Sequence, residues 1–300
     1  MKIVVTGASG FVGKALSYQL LDAGHAVTGL GTSPHHPLQH HPHFTWIAAD
    51  TTQAGAWQTA VSSADAVVNL AGRTISKRWT NAYKQEIVDS RLQTTRQVVS
   101  VMDGNEKILL STSAVGYYGS RGDEVLDERS APGDDFLARL AVDWENAARH
   151  AQQAGVRVAI MRFGVILGSG GGALAQMLPA FRMFAGGPLG NGRQWFPWIH
   201  MADLLAAILF LLENEHARGP YNFSAPGAVR QKDFARSLGR VLGRPAILAA
   251  PGLALRMMMG EMADVLLASQ HVRPDRLTTD GFAFRFPDID AALTDLVGPS

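Results

Sequence analysis

The stretch Thr6-Gly7-Ala8-Ser9-Gly10-Phe11-Val12-Gly13 lies between a β-branched run and a helix-like segment. Its glycines follow the spacing Gly-x-x-Gly-x-x-Gly. In a strand–turn–helix unit, the first glycine permits a tight turn, the second lets a pyrophosphate approach the backbone, and the third lets the helix pack on the strand. The helix N-terminus adds free N–H groups and partial positive charge. The stretch therefore predicts a dinucleotide-binding turn formed by Gly7, Ser9, Gly10, Phe11, Val12 and Gly13.

Short β-branched runs alternate with longer helical stretches through the first half of the chain. Strands joined by helices form right-handed crossovers, which give a parallel sheet covered on both faces. We predict an α/β fold with a Rossmann doubly wound parallel sheet in residues 1–165, completed by about residues 199–225. Residues 166–198 and 226–300 are predicted to form a smaller, mostly helical substrate-binding lobe over the carboxyl edge of the sheet.

The composition narrows the class of protein. The chain has 300 residues, of which 47% are hydrophobic and 18% charged, with a formal net charge of +1 and no cysteine. This apolar content excludes a disordered chain. The balanced charge argues against nucleic acid or an anionic membrane as a partner, and the lack of cysteine excludes a disulfide framework. The longest apolar run, residues 204–212, is shorter than the roughly 18 residues of a membrane span, so we expect a soluble, cytoplasmic protein that binds small molecules.

Two later strand ends extend the predicted cofactor site. Asp50 follows the third predicted strand, where it can accept a hydrogen bond from an adenine amino group. The fourth strand ends in Asn69-Leu70-Ala71-Gly72, whose small residues let a cofactor lie against the backbone. An acid at the end of the second strand would bind a ribose 2′-hydroxyl and repel a 2′-phosphate. The chain has Gly31-Thr32-Ser33 there and no acid, so we predict NADP, with NAD as the alternative because no arginine is present.

A histidine-rich segment follows the second strand. It contains His35, His36, His40, His41 and His43, interleaved with prolines. Proline-interrupted polar tracts are typical of loops. We predict a solvated loop rather than a metal site, and protonated histidines there could contribute to phosphate binding.

With this cofactor site, the chain resembles the extended short-chain dehydrogenases/reductases, the superfamily of sugar-nucleotide epimerases and dehydratases. In those enzymes the tyrosine of a Tyr-x-x-x-Lys pair is the general acid/base, and a serine or threonine polarises the substrate oxygen. No lysine stands four residues after any tyrosine of this chain, namely Tyr18, Tyr83, Tyr117, Tyr118 and Tyr221. Phe136 occupies the tyrosine position on a predicted helix, and its phenyl ring cannot exchange a proton.

A serine-rich strand end of the superfamily is retained as Ser111-Thr112-Ser113-Ala114-Val115-Gly116-Tyr117-Tyr118-Gly119. The resemblance implies that Ser113 is the hydroxyl that polarises the substrate. Tyr117 and Tyr118 are the remaining candidates for a proton donor. The alternative is that both tyrosines only line the pocket.

Further strings resemble one atypical branch, the epimerase-like family labelled nucleoside-diphosphate sugar epimerase or cell-division-inhibitor-like, which has its own C-terminal domain. They include Arg78-Trp79-Thr80, Gly186-Gly187-Pro188-Leu189-Gly190 and Gly281-Phe282-Ala283-Phe284. The resemblance implies an NADP(H)-binding protein of unassigned substrate, with cofactor contacts at Gly31, Thr32, Leu70, Ala71, Glu86, Arg91 and Val165. Phe196 stands where the superfamily commonly has a diphosphate-binding arginine, which together with Trp195 and Trp198 suggests a more apolar pocket.

The sequence therefore predicts an NADP(H)-dependent oxidoreductase or epimerase-like enzyme, in which Ser113 polarises the substrate and Tyr117, Tyr118 or a water handles the proton. The alternative is a non-catalytic NADP(H)-binding module that reports redox state to a partner protein. His200 is open to two interpretations, a catalytic acid or, as we favour, a structural residue. Helices predicted over residues 82–102 and 134–150 correspond to those that pair across dimers in the superfamily, so by analogy we expect a homodimer.

Overall fold

The computed structural model of the protein describes residues 1–298. In chain order, the strands are β1 (Lys2–Thr6), β2 (Ala26–Gly31), β3 (Phe44–Ala48), β4 (Ala66–Asn69), β5 (Ile108–Ala114), β6 (Val125–Leu126), β7 (Arg157–Phe163), β8 (Val165–Leu167), β9 (Trp195–Phe196), β10 (Trp198–His200), β11 (Gly219–Phe223), β12 (Val229–Arg230) and β13 (His271–Val272). The α-helices are α1 (Phe11–Asp22), α2 (Gln58–Ser62), α3 (Asn81–Val99), α4 (Phe136–Arg149), α5 (Gly172–Arg182), α6 (Met201–Glu213), α7 (Gln231–Leu242), α8 (Gly252–Met259), α9 (Met262–Leu267), α10 (Asp275–Thr279) and α11 (Ile289–Val297). Short 3-10 turns cover Val115–Tyr118 and His150–Ala154.

The described residues form a central sheet of seven strands in the order β3-β2-β1-β4-β5-β7-β11. Every neighbouring pair in it is parallel. The strand order reverses between β1 and β4, and ligands of doubly wound sheets bind in the crevice outside the carboxyl ends of the strands at such a point. The predicted α/β fold class is confirmed, and the glycine-rich turn after β1 lies at this crevice.

Hydrophobic cores cover both faces of the sheet. Because side-chain direction alternates along a strand, Ile3 and Val5 of β1 enter a core shared with α1 and α6. Val4, between them, enters a second core shared with α3 and α4. The near-continuous apolar runs of the strands follow from this double burial.

The helical C-terminal region has a core of its own. Phe234 of α7 packs there with Leu293 of α11 and Trp198 of β10. Asp203, buried at the start of α6, accepts hydrogen bonds from the backbone N–H groups of Arg285 at 2.8 Å and Phe286 at 3.0 Å. These bonds fasten the C-terminal segment to the sheet domain, while the domain boundaries inferred from the sequence stay a prediction.

The stretch 253–267, which the sequence suggests is helical throughout, is divided into α8 and α9. Gly260 stands between them at φ +63°, a left-handed backbone conformation that ends a right-handed helix. This break turns the chain so that Glu261 faces the start of α3. Within residues 1–298, none of the helices is at once long enough and apolar enough to cross a membrane.

Candidate functional site

The glycine-rich turn brings backbone atoms closer together than side chains would allow. Gly7 adopts φ +67°, and a Cβ on it would lie 3.2 Å from the backbone of Leu70 and Ala71. A Cβ on Gly13 would lie 2.2 Å from the carbonyl oxygen of Gly7, which is below any normal contact. Gly10 precedes α1 and supplies no capping side chain, so the first N–H groups of the helix are left for a ligand. The turn therefore has the geometry of an anion cradle.

Thr6 joins this turn to the end of β4. Its hydroxyl donates to the side-chain oxygen of Asn69 at 2.7 Å and accepts from the N–H groups of Leu70 at 3.0 Å and Ala71 at 3.1 Å. Both Thr6 and Asn69 are fully buried. Two segments that the sequence predicts to contact the cofactor, residues 6–13 and 70–72, are thus adjacent.

Arg91 of α3 lies against the same strand end. A Cβ on Gly72 would be 3.1 Å from its guanidinium carbon, and the guanidinium lies 5.2 Å from the centre of the Trp144 ring. Burial lowers the pKa of Arg91 to about 10. Its hydrogen bond within residues 1–298 goes to the carbonyl of Ile87 at 3.1 Å, which leaves most of its five N–H donors for an anionic group beside Gly72.

One histidine in the loop after β2 differs from the prediction of a solvated loop. His36 is not solvated but buried, with 2% of its surface exposed. Its Nδ1 accepts from the N–H of Leu38 at 3.2 Å, so Nε2 carries the proton and donates to the carbonyl of Ala8 at 3.2 Å. The ring stacks between Phe44 and Trp46. The aromatic residues of β3 explain this burial, and His36 ties the loop to the glycine-rich turn.

Residues Gly31, Thr32 and Ser33 lead into that loop. A Cβ on Gly31 would lie 3.0 Å from the hydroxyl of Ser9 and 2.8 Å from Trp46, so the end of β2 touches the turn. Thr32 is exposed, and the hydroxyl of Ser33 donates to the carbonyl of His35 at 2.8 Å. The structure therefore places this strand end beside the turn, as the sequence predicts.

The other predicted cofactor residues have partners within the protein. The carboxylate of Asp50 accepts from the N–H and hydroxyl of Thr52, and that of Glu86 lies 3.7 Å from Arg73. Val165 donates its N–H to the carbonyl of Pro197. Phe11, by contrast, holds the loop after β8 on the start of α1, since Cβ atoms on Gly168, Gly171 and Gly172 would all collide with its ring.

Beyond the cofactor segments, β5 and β7 carry a buried ionic network that the sequence analysis missed. Arg162 of β7 is 1% exposed and pairs with Glu145 of α4 through two hydrogen bonds of 2.7 and 2.9 Å. Burial alone would lower the pKa of Arg162, but the hydrogen bonds and charge of Glu145, together with Tyr118, raise it above the ordinary value. The hydroxyl of Ser113 donates to the same carboxylate at 2.8 Å. The signal for this network was a charged residue directly after the apolar run 158–161 of β7.

Ser113, Tyr117 and Tyr118 all meet this network but in different ways. Ser113 is 1% exposed and lies inside the protein. Tyr118 is fully buried, donates to the side-chain oxygen of Asn222 at 2.7 Å and accepts from Arg162 at 2.9 Å. Burial raises the pKa of Tyr118 to about 12.

Tyr117 is the one of these three that reaches the surface of the site. It is half-buried, and its ring centre lies 3.5 Å from the guanidinium carbon of Arg162. Its ring meets that of Tyr118 edge to face at 5.3 Å. The hydroxyl of Tyr117 makes no hydrogen bond with another part of residues 1–298, so it can meet a ligand.

Phe136 begins α4, which Asp135 caps by accepting from the N–H of Ala138 at 2.9 Å. Its ring meets that of Trp79 edge to face at 5.3 Å. The ammonium of Lys84 lies 5.3 Å from the ring centre and pairs with Glu261. Lys84 and Glu261 are further polar residues that the sequence analysis missed.

The aromatic string at residues 195–198 does not form the flat apolar pocket that the sequence suggests. Phe196 packs on Phe234 at 4.6 Å, and Trp198 is 1% exposed within the helical lobe. Trp195 stacks on His271 at 3.9 Å. Phe196 and Trp198 therefore belong to the core of the lobe, whereas Trp195 is half-buried and donates its indole N–H to Asp123 at 3.2 Å.

The neighbouring cavity, of about 440 Å³, is polar, and Arg193, Arg230 and Lys232 are among its lining residues. His200 is the N-cap residue of α6, beside the lobe. It packs on Phe286 at 3.9 Å, accepts from the N–H of Ala202, and has its pKa lowered by burial. These contacts support a structural role for His200.

Comparisons with known proteins match nearly the whole chain. Residues 3–224 match the NAD dependent epimerase/dehydratase family, and residues 250–296 match a domain of unknown function, DUF1731. The chain is 42% identical to the Epimerase family protein SDR39U1 homolog, chloroplastic, of Arabidopsis thaliana, over 98% of this chain and 86% of the plant protein. It is 37% identical to the Epimerase family protein SERP0438 of Staphylococcus epidermidis, over 99% of each chain.

Solved structures of other proteins have the same fold. The crystal structure of human epimerase family protein SDR39U1 (isoform 2) with NADPH superposes with a TM-score of 0.88 at 33% identity, covering 99% of each chain. MoeE5 in complex with UDP-glucuronic acid and NAD superposes with a TM-score of 0.82 over 99% of this chain and 98% of its own, at 18% identity. The second likeness shows the fold alone.

Proposed function

The chain belongs to the NAD dependent epimerase/dehydratase family, and from this premise we propose that it is an NADP(H)-dependent oxidoreductase or epimerase-like enzyme. Its substrate would be a small carbonyl or hydroxyl compound. The observation that carries the proposal is the anion cradle at the crevice between β1 and β4. It is formed by the close backbone approach at Gly7 and Gly13 and by the hydrogen bonds of the Thr6 hydroxyl to the end of β4. The human relative crystallised with NADPH supports the choice of cofactor.

Named residues would hold the parts of this cofactor. The N-terminus of α1 after Gly10 would bind the pyrophosphate, and Thr32 and Ser33 would donate to the 2′-phosphate. The backbone at residues 70–72 would lie under the ribose and nicotinamide, and Arg91 would direct its free N–H donors to an anionic or hydroxyl group beside Gly72. When bound, the cofactor supplies or accepts a hydride. NAD is the alternative, because the 2′-phosphate would meet no arginine on β2.

Further positions inferred from the resemblance belong to the same proposal. Glu86, Val165 and Asp50 would contact the cofactor from α3, β8 and the end of β3. A homodimer through α3 and α4, and a cytoplasmic location, also stay predictions. Sedimentation that showed only monomer at micromolar concentration would contradict the dimer.

On the substrate side we assign different roles to the three predicted residues. Tyr117, whose hydroxyl has no hydrogen-bond partner in the described part of the chain, would hydrogen-bond the substrate oxygen. Tyr118 would hold Arg162 and Asn222 in place, because its own hydroxyl is already engaged on both sides. Ser113 is predicted to polarise the substrate directly. In the structure it donates to Glu145, which pairs with Arg162, so Ser113 would instead hold Arg162 in place against the Tyr117 ring.

A second candidate function is a non-catalytic module that binds NADP(H) and reports its redox state to a partner protein. Phe136 at the position of the superfamily tyrosine favours it, because a phenyl ring transfers no proton. This function predicts tight cofactor binding, no turnover, and capture of a partner that depends on whether NADP⁺ or NADPH is bound. Equal capture with the two forms would contradict it.

The proposed enzyme is tested by mixing purified protein with NADPH and a panel of aldehydes, ketones and quinones. We expect loss of nicotinamide absorbance with at least one compound, and no loss with Gly10→Asp, whose carboxylate would repel the pyrophosphate. Cofactor binding followed by fluorescence separates the outcomes. Tight binding without turnover across the panel would reject the enzyme and favour the redox-reporting module.

A further inference from the structure

Lys84 and Glu261 form an ion pair between the sheet domain and the helical C-terminal region. Lys84 lies at the end of the first turn of α3, on the sheet domain, and Glu261 lies between α8 and α9. The Lys84 side chain is 22% exposed and that of Glu261 61%. The residues are 177 positions apart in the chain, so only the folded structure brings them together.

The position of Lys84 is unfavourable for the helix that carries it. A helix N-terminus has partial positive charge, which disfavours a cation in the first turn. Exposed ion pairs also add little to stability. A lysine held in this place by a carboxylate from another lobe is therefore not explained by the stability of α3.

The ammonium instead lies beside the ring that stands at the tyrosine position of the resemblance. Its nitrogen is 5.3 Å from the centre of the Phe136 ring, and Phe136 occupies the tyrosine position of the resemblance. The backbone of Tyr117 lies close to the same start of α4, because a Cβ on Gly116 would contact Leu137 at 3.4 Å and Gly133 donates to the carbonyl of Tyr117 at 2.9 Å. The start of α4 thus has the Lys84 ammonium and the Tyr117 segment beside it.

We propose that Lys84, positioned by Glu261, donates the proton to the substrate oxygen that Phe136 cannot donate. The inference rests on the proposed NADP(H)-dependent activity. In the reductive direction the carbonyl carbon of the substrate gains a hydride from NADPH and the C–O π pair moves onto oxygen. That oxygen forms an O–H bond as an N–H bond of Lys84 breaks. The products are an alcohol, NADP⁺ and a neutral amine, which takes its next proton from water.

Lysine is chemically suited to this exchange. The ordinary pKa values of lysine and tyrosine, about 10.4 and 10, are close, so an ammonium is an acid of similar strength to the phenol it would replace. An ammonium has three N–H donors. The ammonium pairs with Glu261 and lies over the Phe136 ring, and it would give a further N–H to the substrate oxygen.

The first test needs no knowledge of the substrate. Purified protein is treated with an amine-acetylating reagent with and without NADPH, and the acetylation rate of each lysine is measured by mass spectrometry. We expect NADPH to slow acetylation of Lys84 by at least severalfold and to leave Lys2 and Lys107 unchanged, because these lie at the opposite, amino ends of β1 and β5. Equal rates at Lys84 with and without NADPH would overturn the inference.

The second test compares variants on the carbonyl compound that the wild-type protein reduces. Lys84→Met removes the ammonium, and Lys84→Arg keeps the charge but releases no proton. Because general acid catalysis typically contributes about 10²–10⁴-fold, we expect each to lower kcat by at least about 100-fold, with NADPH affinity within about twofold of wild type. Lys77→Met, in the neighbouring segment and over the Tyr83 ring, is the matched control and should remain active.

Glu261→Gln gives a readout specific to positioning. It should lower kcat less than Lys84→Met does and should accelerate acetylation of Lys84, because the ammonium loses its partner. Wild-type turnover in Lys84→Met would overturn the inference but would leave the proposed NADP(H)-dependent activity standing. An inactive Tyr117→Phe variant would then assign the proton donor to Tyr117. A wild-type protein that reduced no compound would reject the proposed function itself and the inference with it.

Discussion

The cofactor turn and the start of α4 are built in different ways. In the turn, backbone atoms of nearby residues approach each other, as when Gly13 meets the carbonyl of Gly7 and Gly7 meets residues 70–71. Along α4, long side chains from distant segments meet: Arg162 of β7 pairs with Glu145 and lies against the Tyr117 ring, and Lys84 of α3 lies beside Phe136. The first region is specified by the absence of side chains at fixed spacings. The second is specified by which long side chains the fold brings together, so the two regions should respond differently to mutation.

Arg162→Met should cause the largest loss and should act on the α4 region alone. It leaves the buried carboxylate of Glu145 without its partner, and breaking a buried pair typically costs about 3–5 kcal/mol. The loss is measured by urea unfolding. Arg149→Met is the control, because Arg149 pairs with the same carboxylate at 2.7 Å but is 35% exposed, and exposed pairs contribute about 1 kcal/mol or less. Equal losses in the two variants would show that Glu145 is not effectively buried.

Gly13→Ala should have the next largest effect and should act on the turn alone. Its Cβ would lie 2.2 Å from the carbonyl oxygen of Gly7, so the turn must open. We expect NADPH affinity to fall about 100-fold, or about 2.7 kcal/mol, measured by nicotinamide fluorescence. Gly252→Ala, whose Cβ would make an ordinary 3.4 Å contact with Leu267, should bind normally. Normal binding by Gly13→Ala would contradict a backbone-defined site.

Thr6→Val tests the link between the turn and β4. It removes the acceptor for the N–H groups of Leu70 and Ala71 and the donor to buried Asn69. An unsatisfied buried polar group costs about 1–3 kcal/mol, so we expect a loss in that range on urea unfolding, with weaker NADPH binding. Thr28→Val, on the neighbouring strand β2, should change stability by about 0.5 kcal/mol or less. If Thr6→Val lost no more unfolding free energy than Thr28→Val, water would be replacing the hydrogen bonds of the threonine hydroxyl.

His36→Gln should have the smallest effect, and it depends on pH. Burial lowers the pKa of His36 below its ordinary 6.5, so the unfolded chain binds the proton more readily than the folded one. The contribution of His36 is therefore complete above pH 6.5 and is lost as the pH falls below it. The difference in unfolding free energy between wild type and His36→Gln should shrink between pH 7.5 and pH 5.5. Exposed His40→Gln should show no such change, and an unchanged difference in His36→Gln would contradict a neutral, buried ring.

The two regions also differ in how well the sequence predicted them. The glycine spacing, the strand before it and the helix after it, and the small residues at 70–72 were sufficient to place the glycine-rich turn, because each is a local steric requirement. The burial of His36 was missed, because it depends on Phe44 and Trp46 of the next strand. Phe196 and Trp198 were placed in a pocket although they pack in the core of the helical lobe, because an aromatic string has the same composition in either position.

The sequence by itself determined the α/β class, the glycine-rich turn and the lack of a Tyr-x-x-x-Lys pair, since these follow from residue types at fixed short spacings. Only the tertiary structure decided that Ser113 and Tyr118 are hydrogen-bonded inside the protein, while the hydroxyl of Tyr117 has no hydrogen-bond partner among residues 1–298. It alone brought Lys84 to Glu261 across 177 positions. The physical reason is that a backbone turn is fixed by its own sterics, whereas the surroundings of a polar side chain are fixed by distant parts of the chain that pack around it.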